Sequence, residues 1–124
     1  MANELVNWIE IPVADVARAK SFYESVFQFK IVELSVGGLK YPCFPNRAGD
    51  GFCGALVQYD YTAPGKRGPL VYFDSGDAME EMLSRIVAAG GKIIQNRMEI
   101  APGYGYSSIF EDTEGNMLAL QGTN

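Results

Sequence analysis

The chain has 124 residues, 48% hydrophobic and 20% charged, enough to bury the core of one compact domain without disulfide or metal staples. Ten Lys and Arg against fifteen Asp and Glu leave a net charge of −5, and there is no histidine; the cations are scattered, the wrong electrostatics for gripping a phosphate backbone, so no nucleic-acid partner is expected. Apolar runs are only a few residues long, far short of the roughly 20 that cross a bilayer, and "MANELVNW" has no basic stretch leading an apolar run, so neither a membrane span nor a signal peptide is expected and the default location is cytoplasmic.

"LVNWIEIPV" mixes β-branched, aromatic and apolar residues and predicts a strand over residues 5–13. Asp15 is an N-cap for a helix in which Val16, Ala19, Phe22, Tyr23, Val26 and Phe27 recur along one core-facing side. "FKIVEL" predicts the next strand, Gly37-Gly38 a hairpin turn, "LKYPCF" a third strand and "GFCGALVQYD" a fourth. Pro42 has no N–H to donate and confines the third strand to an edge or an irregular position. Cys43 and Cys53 flank the turn-rich "FPNRAGDGF". Antiparallel strands there could set them face to face, which leaves a disulfide open, although in a cytosolic chain two buried thiols are the expected state.

"YTAPGKRGP", residues 61–69, reads as a linker. The pattern then restarts: "LVYFDSGD" is a strand running into a cap, and "AMEEMLSRIVAA" a helix with Met79, Leu83, Ile86 and Val87 on one face, stopped by Gly90-Gly91. "KIIQNRMEI", "YGYSSIFED" and "NMLALQG" are the remaining strands. Both halves therefore read β-α-β-β-β, residues 5–60 and 70–122, and an offset of 62 superposes Asp15 on Asp77, Lys30 on Lys92, Ile31 on Ile93 and Asp50 on Asp112.

Three stretches carry a family resemblance: "IPVADVARAKSFYESVF", "AAGGKII" and the closing "FEDTEGNMLAL". Together they resemble the vicinal oxygen chelate superfamily, which includes glyoxalase I, bleomycin-resistance proteins and extradiol dioxygenases. The chain departs from the usual pattern at Thr113, where proline is common, and at Gln28, where glycine commonly follows the first helix. The resemblance implies an α+β fold of two βαβββ modules whose mixed sheets curl around a cavity. In metal-dependent members, side chains of the first and fourth strands converge on a divalent ion. Those positions fall here on Trp8, Leu70, Ala119 and, through the offset, Val57. None supplies an oxygen or nitrogen donor fit for a hard cation, so no metal or other cofactor is expected. Two cysteines without histidine are also too few for zinc.

The same surface then reads as a small-molecule pocket, walled by Trp8, Val57, Leu70 and Ala119, with Glu10, Tyr72 and Gln121 as nearby polar groups. Trp8 either stacks on a planar or cationic ligand or fills the core. Glu10 is either a buried base with a raised pKa or part of a solvated strand face. "APGYGYSS" places Tyr104 and Tyr106 either in a lid over the cavity or in an ordinary hairpin connection. Ser107, Ser108 and the cysteines lack the histidine that would activate a nucleophile. The expected function is metal-independent binding of a small, partly apolar molecule. The alternatives are a divalent-metal lyase, isomerase or dioxygenase, and a regulatory module without a pocket. The resemblance also implies a homodimer.

Overall fold

The computed structural model describes residues 5–124, the side chain of Val36 excepted; residues 1–4, the start of "MANELVNW", lie outside the described residues. Element order is β1 (Ile9–Pro12), α1 (Val16–Phe27), β2 (Val32–Val36), β3 (Leu39–Pro45), β4 (Phe52–Val57), β5 (Tyr72–Gly76), α2 (Met79–Ala88), β6 (Lys92–Glu99), β7 (Tyr106–Glu111) and β8 (Met117–Gly122). The strands form two four-stranded mixed sheets, ordered β1-β4-β3-β2 and β5-β8-β7-β6. In each, the first strand runs parallel to the last and the others are antiparallel. The fold is α+β, two βαβββ modules without a closed barrel.

Local chemistry explains the boundaries. The Asp15 carboxylate accepts from the Arg18 N–H at 3.0 Å and starts α1. Ala19, Phe22, Tyr23 and Val26 are buried as their spacing requires. α1 ends at Gln28, which adopts a left-handed φ of 57°, a conformation that suits glycine better. β2 therefore begins three residues later than "FKIVEL" suggests, because the chain first turns and binds the Ile31 N–H to the Glu24 carboxylate. Gly37 and Gly38, at φ 58° and 82°, make the two-residue hairpin turn as expected.

Four expectations need correction. The first strand is only Ile9–Pro12. β3 is internal despite Pro42: its pairing with β4 begins at Cys43, so the missing N–H falls at the end of that ladder. Asp77 does not cap α2, whose N-cap position is Ala78 without a side-chain bond. Val87 is 58% exposed, while Met79, Leu83 and Ile86 are buried.

The helix-facing sides of both sheets and the two helices share one core, which includes Ile11, Phe22, Tyr23, Leu56, Ile86, Phe110 and Leu120. A smaller cluster of Cys43, Ala55 and Val57 lies on the other side of the first sheet, covered by Tyr41, Phe52 and Tyr59. β4 carries one extra residue, since Phe44 pairs with Gly54 but Pro45 with Phe52. This bulge at Cys53 turns its side chain toward the main core, away from Cys43. Both thiols are free.

Candidate functional site

The closing stretch "FEDTEGN" is a polar network that joins the two modules. Asp112 takes four donors: the Glu114 N–H at 2.8 Å, the Asn116 N–H at 2.9 Å, the Tyr23 hydroxyl at 2.6 Å and the Asn116 side-chain amide at 3.0 Å. Asn116 also donates to the Pro12 carbonyl at 2.8 Å and accepts from the Gly65 N–H at 3.0 Å. Burial pushes the Tyr23 phenol up, and the facing Asp112 adds to the shift, so it stays a proton donor.

Glu114 accepts from the N–H groups of Ala14 and Asp15 at 2.9 Å each and pairs with Arg18 at 2.8 Å. Burial alone would raise its pKa, but Arg18, these two N–H groups and the Thr113 hydroxyl hold it at about 2. The hydroxyl bond, 2.9 Å long, is available because Thr113 stands where proline is common.

The residues proposed from sequence divide between two faces of the sheets. On the face away from the helices, Val57 and Ala119 are 3% and 0% exposed. Val57 lies under Tyr41 and Tyr59. Glu10 is exposed, as the solvated-face reading expects, and it accepts from the Trp8 indole N–H at 3.2 Å and the Tyr59 hydroxyl at 3.3 Å. Beside Glu10 in the sheet stands Ala55, whereas beside Tyr72 stands Ala119. The offset of 62 thus slips by two residues on the last strand, and Val57 is not the register equivalent of Ala119.

On the second sheet, Tyr72, Tyr104 and Gln121 border a depression of about 430 Å³ together with Arg47 and Asp74, an ion pair linking the β3–β4 loop to β5. Tyr72 and Gln121 also border a second depression of about 460 Å³ beside Gln95 and Met98. Tyr104 sits in the β6–β7 hairpin turn, closed by the Ile100 N–H to the Gly105 carbonyl at 2.9 Å. Tyr106 belongs to β7, its ring 4.5 Å from the Arg97 guanidinium.

A cavity of about 1040 Å³ is bordered by residues of both edge strands, β1 and β5. Trp8, Leu70 and Tyr72 border it, as do Phe27, Phe29, Phe44, Phe73, Met82 and Cys53, which sequence reasoning assigned to the core or left unassigned. Ser75 closes one wall, and its buried hydroxyl has no partner among the described residues. Gly54 is what lets the Phe44 ring lie there: a Cβ would stand 2.4 Å from that ring and 2.5 Å from the Ile9 carbonyl oxygen.

A family model for the glyoxalase/bleomycin resistance protein/dioxygenase superfamily matches residues 5–120. The chain belongs to that superfamily. A glyoxylase-like domain-containing protein of Didymella fabae is 29% identical over 118 residues, covering 93% of this chain and 91% of that protein. Among solved structures, TnmS3, an antibiotic-binding protein from Streptomyces sp. CB03234, superposes with a TM-score of 0.71 at 21% identity, covering 100% of this chain and 99% of that one. The fosfomycin resistance protein FosX from Listeria monocytogenes does so at 0.70 and 21%, covering 100% and 96%. These likenesses establish the fold.

The superfamily's metal enzymes need several oxygen or nitrogen donors at one point, and the residues here do not fit such an ion. Trp8, Leu70 and Ala119 offer none, nor do Val57 or Ala55, the register equivalent of Ala119, and Glu10 is one carboxylate already bonded to Trp8 and Tyr59. Among the described residues no three His, Cys, Asp or Glu side chains converge. No helix among them is long and apolar enough to cross a membrane.

Proposed function

We propose that this chain is a cytoplasmic, homodimeric protein that binds a small, partly apolar organic molecule without a metal, using the cavity between β1 and β5. The observation that carries this reading is the cavity itself: about 1040 Å³, large enough for a drug-sized ligand, with mostly apolar walls and a few polar atoms at its rim. The antibiotic-binding neighbour supports it as a likeness of fold. Trp8, 42% exposed at the rim, is a flat ring against which a ligand can stack. Two free thiols suit a reducing compartment. Tyr72, Met98 and Ile100, 51%, 51% and 44% exposed, form the apolar part of the second sheet's open side, which a second copy would cover.

The test is a titration read by Trp8, the only tryptophan. A bound aromatic compound quenches its emission saturably. Absence of quenching by a panel of drug-sized aromatic compounds would contradict the reading. Sedimentation of the pure protein reports the dimer, and a monomer at micromolar concentration would remove that part.

A further inference from the structure

We propose that the cavity between β1 and β5 selects flat, uncharged aromatic molecules and rejects anions, the aromatic body being held against Phe27, Phe29 and Phe73, backed by the buried Phe44, on the helix-facing side of the sheets. This rests on the ligand-binding reading above and adds the chemical class and the wall that recognises it.

The four rings form a closed circuit. Phe27 and Phe29 stack at 5.7 Å between centroids, Phe29 and Phe44 at 6.1 Å with planes 6° apart, Phe44 meets Phe73 edge-on at 6.3 Å, and Phe73 returns to Phe27 at 4.8 Å. Such a wall offers ring faces and edges, the surfaces that take another aromatic ring in offset-stacked or edge-to-face geometry. Phe27, Phe29 and Phe73 are only partly buried in this otherwise dense core, so their free surface gains by being covered.

Charge is absent from this wall. Arg47 and Asp74 are the charged side chains among the described residues that border the cavity, and they pair with each other. A carboxylate, sulfonate or phosphate held against the rings would lose its water there with no cation beside it among the described residues, since the Arg47 side chain stands 80% exposed and paired with Asp74. Cys53, the remaining titratable group on the wall besides Tyr72, donates its S–H toward the Pro45 carbonyl at 3.5 Å. Burial pushes this thiol up, so it stays uncharged at neutral pH.

The experiment uses two probes on one skeleton: N-phenyl-1-naphthylamine, which is neutral, and 1-anilinonaphthalene-8-sulfonate, which adds one anionic group. Cys53 reports occupancy of the aromatic wall through its alkylation by N-ethylmaleimide. Cys43, 1% exposed beneath Tyr41 and Tyr59 on the other face, is the internal control. The neutral probe is expected to quench Trp8, to bind roughly tenfold or more tighter than the sulfonate because of the latter's desolvation cost, and to slow Cys53 alkylation by about fivefold or more at saturation, since only the thiol of the open form reacts. A sulfonate that binds as tightly as the neutral probe overturns the selectivity. Quenching of Trp8 with unchanged Cys53 alkylation places the ligand away from the phenylalanines; it sinks this inference and leaves the ligand-binding reading standing. If neither probe changes Trp8 emission or Cys53 reactivity, both fall.

Discussion

The network around Asp112 and the cavity between β1 and β5 both join the two modules, by opposite physics. At Asp112 every buried lone pair has a donor, and Glu114 reaches about a hundred residues back in the chain to hold the start of α1. The cavity lies between the modules, walled on one side by rings that touch one another and bordered by few polar side chains. The closing stretch "FEDTEGN" thus bonds one module to the other through Tyr23 and the Pro12 carbonyl. In a satisfied carboxylate network the loss of one partner strands the others, whereas a partly exposed apolar wall is free to take a ligand.

Disturbing the network should leave ligand affinity unchanged, and disturbing the cavity rim should leave the protein folded. Asp112→Ala strands the Tyr23 hydroxyl, the Asn116 amide and two N–H groups, and is expected to cost about 3–4 kcal/mol, measured by urea unfolding. The fraction still folded should bind N-phenyl-1-naphthylamine as before. Glu114→Ala is expected to cost about 2 kcal/mol, through two uncapped N–H groups and the lost charge-assisted bonds to Arg18.

Acid tests the same carboxylate. Its folded pKa of about 2 lies below the ordinary 4.5, so its contribution is complete above 4.5 and fades as pH falls from there toward 2. Glu114→Gln should flatten the stability profile in that window, and a profile identical to the wild type would remove Glu114 from the account.

Trp8→Ala acts at the cavity rim. Ligand affinity, followed through the probe's own emission, should fall at least about tenfold, or roughly 1.4 kcal/mol. Because Trp8 lies outside β1 at a partly exposed position, unfolding free energy should change by less than about 1 kcal/mol. Unchanged affinity would sink the rim assignment. Smallest is Gln28→Gly, which relieves the left-handed φ of 57° and should stabilise by about 1 kcal/mol without touching affinity; a destabilised variant would show that the Gln28 side chain matters more than its backbone.

Element order was legible because its signals are local: the Asp15 cap, the spacing of apolar residues in α1 and the Gly37-Gly38 turn each act within a few residues. Pro42 misled because a missing N–H matters only where a ladder needs it, and where a ladder ends is a tertiary fact. The bulge at Cys53 and the two-residue slip that separates Val57 from Ala119 were hidden for the same reason, since an offset read along the chain says nothing of how β4 and β8 register against β1 and β5. Trp8, Leu70 and Tyr72 border the cavity because they lie on or beside the two edge strands. Phe29, Phe44 and Phe73 were missed because no local pattern separates a ring that fills a core from one that leaves a gap; the excess of phenylalanine, seven in 124 residues, was the only hint.

We propose above that the cavity beside Trp8 holds an organic ligand without a metal. Native mass spectrometry of the protein incubated with N-phenyl-1-naphthylamine tests it most directly, because one spectrum reports the probe and any ion together. The expected result is one probe per chain, no divalent ion, and much lower occupancy in Trp8→Ala. A stoichiometric divalent metal, or probe occupancy indifferent to Trp8→Ala, would contradict it.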